Sequence, residues 1–245
     1  MNEHWLILGA SSPMARAFAR LVAKRSAALT LVGRDREDLS ASVNDAQLRG
    51  ASDARFLQCD VTDALSRKAC IAQADIPGKQ FNILVAMGQM PDQQWMHADP
   101  ELTSRMIEAT YSGPLAMLEG LAPVFERQRS GRVVIIGSVA GDRGRRKNFL
   151  YGSAKAGLAV YAEGLRARLY PSGATVTLIK PGFVDTSMTW GLPGLFLVAS
   201  PQACAAAMLR AADRGRAEIY HPFFWRFIML IIRHIPSAMM KRLNF

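Results

Sequence analysis

Tyr151 and Lys155 stand four residues apart in Tyr-Gly-Ser-Ala-Lys, and Ser138 lies thirteen residues upstream, just past an apolar run. On a helix, residues at i and i+4 share a face. An ammonium group beside a phenol lowers the phenol's pKa, which would fit Tyr151 to exchange a proton near neutral pH. The Ser138 hydroxyl would hydrogen-bond the same carbonyl or alcohol oxygen. Tyr-x-x-x-Lys alone describes many helix surfaces. The strand-end serine at this spacing makes the set specific.

A second set could hold a phosphate-bearing ligand. The run HWLILG is followed by Ala10-Ser-Ser-Pro-Met-Ala15. A glycine turn between strand and helix offers backbone N–H groups and a helix N-terminus to a pyrophosphate. The candidates are Gly9, Ser11, Ser12, Pro13 and Met14. Pro13 suits the first helical turn, where its missing N–H costs little. The alternative is an ordinary strand–helix turn. Arg34 follows the second apolar run, where an acidic residue would hold a free ribose hydroxyl and an arginine favours a 2′-phosphate. That pattern points to NADP(H), with NAD(H) as the other option. Asp60-Val61 would meet an adenine amino group, or Asp60 would cap the helix starting near Thr62. Gly88 closes the fourth run and would let a ligand approach.

These residues need a scaffold that brings strand ends together. Apolar runs HWLILG, ALTLVG, ARFLQ, FNILVAMG, GRVVIIG and TVTLIK alternate with helical stretches such as 13–25 and 36–49. Near-continuous apolar strands between helices predict a parallel sheet covered on both faces, a single doubly wound α/β (Rossmann) fold. With 245 residues, 50% hydrophobic and 20% charged, the chain can bury a large core and is no disordered tail or disulfide miniprotein. The expected organisation is one domain over 1–221 and an amphipathic helical appendage over 222–245. Residues 181–200 read as a long loop.

Other chemistries find little support. Cys59, Cys70 and Cys204 are odd in number and far apart, which suggests no disulfide framework, no zinc cage and a reducing, cytoplasmic setting. The four histidines lack ligand spacing, so no metal is expected, and no G-x-S-x-G elbow is present. The net charge of +10 is local: residues 127–147 carry +6 and residues 221–245 carry +4. Without interleaved aromatics or a reader motif, nucleic acid is not the expected partner.

The segments GASS (9–12), CDVTD (59–63), GSVAG (137–141), YGSAK (151–155) and PGFVDT (181–186) resemble the short-chain dehydrogenase/reductase family over residues 4–220. The resemblance implies a dinucleotide-dependent oxidoreductase interconverting a ketone and a secondary alcohol. Ser138, Tyr151 and Lys155 would be catalytic, and Lys155 would also hold the nicotinamide ribose. Pro181, Gly182, Val184 and Thr186 would orient the nicotinamide. Thr110 aligns with the family's catalytic asparagine, Pro13 and Ala15 replace two turn glycines, and Val85-Ala-Met-Gly88 replaces N-N-A-G. Family members assemble as homodimers or homotetramers, through helices that would fall near 105–128 and 150–170.

Two features suggest the substrate. The loop Ala140-Gly-Asp-Arg-Gly-Arg-Arg-Lys-Asn148 carries four cations, a solvated loop or a clamp for an anionic substrate. The apolar segment 223–235, interrupted by Arg226 and Arg233, is too short to span a bilayer. It reads as a helix at a membrane interface, such as the inner face of the cell membrane, or as one packed on protein. The 138–145 and 151–157 stretches and the basic tail resemble, within the family, reductases of decaprenylphosphoryl-ribose 2-epimerisation and relatives associated with bacterial surface-polysaccharide genes. That implies a phosphorylated or lipid-linked sugar. The alternatives are a long-chain 3-keto lipid reductase and a non-catalytic dinucleotide sensor.

Overall fold

The six runs become parallel strands, five of them largely buried on both faces and the third only partly covered at the sheet edge. They are β1 (Glu3–Leu8), β2 (Ala28–Gly33), β3 (Asp53–Gln58), β4 (Gln80–Val85), β5 (Arg132–Ile136) and β6 (Thr175–Pro181). A computed structural model describes residues 3–191 and 196–244. It adds a strand absent from the sequence reading, β7 (Glu218–His221). All seven are parallel, in the order β3-β2-β1-β4-β5-β6-β7. The strand order reverses at β1, where Leu8 pairs with Val32 on one side and Val85 on the other. Open parallel sheets bind ligands beyond the strands' carboxyl ends at such a point.

Helices cover both faces. On one, α1 (Pro13–Ala23), α2 (Arg36–Leu48) and α8 (Pro201–Asp213) close over Trp5, Phe18, Leu29 and Leu31. On the other, α3 (Ala64–Gln73), α6 (Gly113–Gln128) and α7 (Phe149–Leu169) close over Leu6, Leu8, Phe81 and Phe125. Asp35 caps α2, accepting from Glu37 N and Asp38 N, and Asp63 caps α3 in the same way. Helices α4 (Gln93–Ala98) and α5 (Pro100–Ile107) lead into a π-helical turn, Glu108–Ser112, before α6.

The expected appendage divides at Pro236 into α9 (Trp225–His234) and α10 (Ser237–Met240). The inner face of α9 belongs to the core: Trp225 and Met229 are buried with Val139, against Phe183 and Tyr220. The long loop over 181–200 begins with Pro181 in β6 and returns through a bridge between Val184 and Ala199; its residues 192–195 lie outside the described residues. Among the described residues no helix is long and apolar enough to cross a membrane.

The basic run 127–147 is not one surface. The Arg132 guanidinium, 15% exposed, bonds Glu3 and Asp213 and donates to Asn82, fastening β5 to β1 and α8. Arg127 approaches Asp75 at 4.0 Å.

Candidate active site

At the dinucleotide end, Gly9 turns the chain at φ +77°, and its N–H and that of Ala10 both donate to Val32 O at 3.0 Å. A Cβ at Gly9 would lie 2.6 Å from Ala86 O, so only glycine fits between β1 and β4. Ser12 is the N-cap of α1 but makes no side-chain capping bond, and Pro13 takes the first helical position. The helix start is therefore open beside the exposed Ser11 and half-buried Met14. Ala15, where a glycine was expected, places its methyl in the core. The substitution therefore does not narrow the turn.

A cleft of about 410 Å³ opens past β2 and β3, lined by Arg34, Gln58, Cys59, Asp60 and Ser66. Asp60 Oδ1 accepts from the N–H and hydroxyl of Thr62 at 2.9 and 2.8 Å. The Thr62 N–H chiefly, with Arg34 assisting, holds this carboxyl below the usual range against its partial burial. Asp60 thus shapes a turn, and Asp63 performs the capping considered for it. Val61 is buried and its carbonyl accepts from Arg67. Gln58 and Ser66 were not singled out in the sequence. Gln58 Nε2 donates to Arg34 O, and Ser66 Oγ accepts from Asp60 N.

At the chemical end, Ser138 follows β5 and Tyr151 lies in the first turns of α7. Ser138 Oγ accepts from Ala140 N at 3.1 Å, and its hydroxyl faces the Tyr151 phenol closely enough to favour the ionised form. Tyr151 is 6% exposed. Burial pushes its phenol up to about 12, with the Ser138 hydroxyl pulling the other way.

Lys155 departs from the sequence expectation. Its ammonium, pushed down to about 8 by burial, donates to Met87 O at 3.1 Å and Ile136 O at 2.9 Å. It lies 5.8 Å from the Tyr151 ring centroid. In the protein alone the cation therefore ties the ends of β4 and β5 together, and burial, not Lys155, governs the phenol. Gly88 has φ +146°, and a Cβ there would sit 3.3 Å from Lys155 Nζ and 3.4 Å from Thr110 Cγ2. Thr110, fully buried in the π-helical turn, accepts from Gln89 N at 3.0 Å and donates to Gln89 O at 3.3 Å. Such π turns occur often at functional sites.

The segment after β6 lies over the same end of the sheet. Gly182 N donates to His221 O, Val184 is buried, and Thr186 bonds Thr189 through its backbone. A Cβ on Gly182 would collide with the Trp225 indole. The tail thus seals this segment from behind, a contact no local motif announced. Around Ser138 the ordering continues: buried Asp142 pairs with Lys180 at 2.8 Å and accepts from Tyr220 OH at 2.6 Å.

A family profile described as short chain dehydrogenase matches residues 3–193. The chain belongs to the short-chain dehydrogenase family. It is accordingly an oxidoreductase of the dinucleotide-dependent kind. It is 28% identical to an uncharacterised oxidoreductase of Mycobacterium tuberculosis, over 97% of this chain and 96% of that one. It is 30% identical to another from Streptomyces coelicolor, over 97% and 94%. A short-chain dehydrogenase from Sphingobium yanoikuyae, solved in complex with NADPH, superposes with a TM-score of 0.82 at 25% identity, covering 96% of this chain and 97% of that one. Family membership and the seven-stranded sheet agree with the fold expected from the alternating runs.

Proposed function

We propose that this dehydrogenase interconverts a ketone and a secondary alcohol with NADP(H) in preference to NAD(H), on an anionic substrate such as a phosphorylated or lipid-linked sugar. The observation that carries the reading is the buried Tyr151 phenol, acted on by Ser138, with Lys155 5.8 Å from its ring centroid and fixed between two strand ends. The dinucleotide fits the residues present: a glycine turn that no Cβ can enter, an uncapped helix start and a cleft with Arg34 at its wall. When bound, it supplies or accepts a hydride. Ser138 and Tyr151 bind the oxygen of the reacting carbon, and Tyr151 delivers its phenolic proton to that oxygen in reduction. With the phenol held up to about 12, the resting side chain is the acid, the form reduction requires. Lys155 positions the loop after β4 through Met87 O and would hold the nicotinamide ribose. Thr110 already donates its proton to Gln89 O, so it positions that loop rather than relaying protons.

Arg145 supports the anionic substrate. Arg143 is engaged with the tail, donating to Ile235 O at 3.2 Å, whereas Arg145 makes no ion pair among the described residues. Arg145 Nε is buried without a hydrogen-bond partner, as is Asn148 Oδ1. Burial lowers the arginine's pKa, only partly offset by Asp142. A buried guanidinium nitrogen without a partner is costly, and a substrate phosphate at Arg145 would satisfy it. Its turn leads directly into the first turn of α7, through Asn148 N to Arg145 O and Gly152 N to Asn148 O.

Steady-state reduction of phosphorylated and neutral ketones with NADPH and NADH tests the reading. Tyr151→Phe should lower kcat by about 10²–10⁴-fold with dinucleotide binding intact. Arg145→Ala should raise KM for the phosphorylated ketone by about tenfold or more at little cost in kcat. An unchanged KM, with turnover of a long-chain 3-keto lipid, would replace the sugar by the lipid. Tight NADPH binding without turnover of any ketone would leave a sensor.

A further inference from the structure

We propose that the outer face of α9, with residues 196–198 beside it, is a docking surface for an anionic lipid bilayer. The helix has two apolar faces, and the core accounts for only one. Trp225 and Met229 point inward, buried against Val139 and Phe183. Phe227, Leu230 and Ile231, at i, i+3 and i+4, are 58%, 55% and 69% exposed. Phe223 extends this stripe, 75% exposed with its ring 6.5 Å from that of Phe227. Phe196, Leu197 and Val198 are exposed as well, and the Phe196 ring lies 5.5 Å from Trp225. An apolar surface of this extent on a folded domain marks a contact site.

Charge selects the occupant. Residues 221–245 contain Arg226, Arg233, Lys241 and Arg242 and no acid, and all four are exposed. A two-fold contact with a second copy would bring these cations toward their own images. An anionic headgroup layer meets them with the opposite sign while the acyl boundary takes the phenyl and aliphatic groups. Ten residues make a helix of about 15 Å, suited to lying in an interface and far short of spanning one. The inner face of the same helix closes on Gly182 and on Val139, next to Ser138. The surface that would rest on lipid is therefore the back of the active-site roof. This inference stands whether or not the substrate is a sugar.

The test is co-sedimentation of the full chain with vesicles of phosphatidylcholine and phosphatidylglycerol in equal parts, against pure phosphatidylcholine. The expected result is at least about tenfold stronger partition onto the anionic vesicles, weakening as salt rises. Phe227→Ser with Ile231→Ser should abolish it, and Arg226→Ala with Arg233→Ala should flatten the salt dependence. These side chains are exposed, so NADPH binding and thermal melting should match the parent chain and separate lost docking from lost folding. No partition onto anionic vesicles would overturn the proposal, as would undiminished partition of the Phe227→Ser, Ile231→Ser variant. A vesicle-free dimer that the same variant dissociates would also overturn it, by assigning the face to a second copy.

Discussion

The two rims of the sheet's carboxyl edge are built in opposite ways. Above β1, β2 and β3 the surface is made of backbone turns and small residues: Gly9, Ser11, Ser12 and the Asp60–Thr62 turn. The Asp60–Thr62 turn is complete within three residues, and the Gly9 turn needs only the two strands beside it, through Val32 O and Ala86 O. Above β5, β6 and β7 the surface is made of large side chains from distant segments. Asp142 meets Lys180 and Tyr220, Arg143 meets Ile235, and Trp225 fills the space at Gly182. The first rim is set by the backbone path of β1 and its neighbours. The second is held by side chains from segments far apart in the sequence. A locally encoded rim tolerates distant change, whereas the assembled rim depends on every partner.

Breaking the assembled rim should have the larger effect. Asp142→Ala would leave Lys180 with Glu218 alone and Tyr220 OH without its acceptor. Loss of one partner of a buried pair costs about 3–5 kcal/mol, so a clear fall in the urea midpoint is expected, with KM rising as the 139–148 loop loosens. A midpoint equal to the parent's would show that the second rim is not held this way. Gly9→Ala attacks the local rim. A side chain at φ +77° against Ala86 O should cost about 2 kcal/mol, and NADPH titration should show weakened binding with the ketone pocket intact. A third test, read as a slope against pH, concerns Lys155, which joins the rims. Burial lowers its pKa from 10.5 to about 8, so over that window the unfolded chain holds a proton that the folded chain has released. Stability from this group therefore rises with pH between about 8 and 10.5, by up to about 1.4 kcal/mol per pH unit. Lys155→Met, compared with the parent across that range in urea, should lack this rise.

The same contrast explains what the sequence made legible. Five strands announced themselves because buried parallel strands are continuous apolar runs, the half-polar edge strand β3 followed from the alternation, and so did the sheet with its helices. β7 did not: Glu-Ile-Tyr-His is short and half polar, and its strand character comes from pairing with Leu178 to Pro181. The spacing of Ser138, Tyr151 and Lys155 foretold their assembly. It misdirected the lysine, because i,i+4 geometry places two side chains on one face without saying which acceptors compete, and two strand-end carbonyls took the ammonium. Charge counting grouped Arg132 with the loop arginines, although Glu3 and Asp213 neutralise it from the far ends of the domain. The segment 223–235 read as a helix at a membrane interface or packed on protein; that Trp225 fills the space at Gly182 is visible only when the chain is folded.

That indole has a consequence for the order of events during synthesis. The Gly182 segment leaves the ribosome well before Trp225 does, and chains begin to fold from their N-terminal side. The dinucleotide turn, all of β1 to β6 and Tyr151 can be in place while the wall behind Gly182 is still missing. Until Trp225 has emerged, the nascent chain lacks the wall behind Gly182. The last tryptophan of the chain is the piece that closes it.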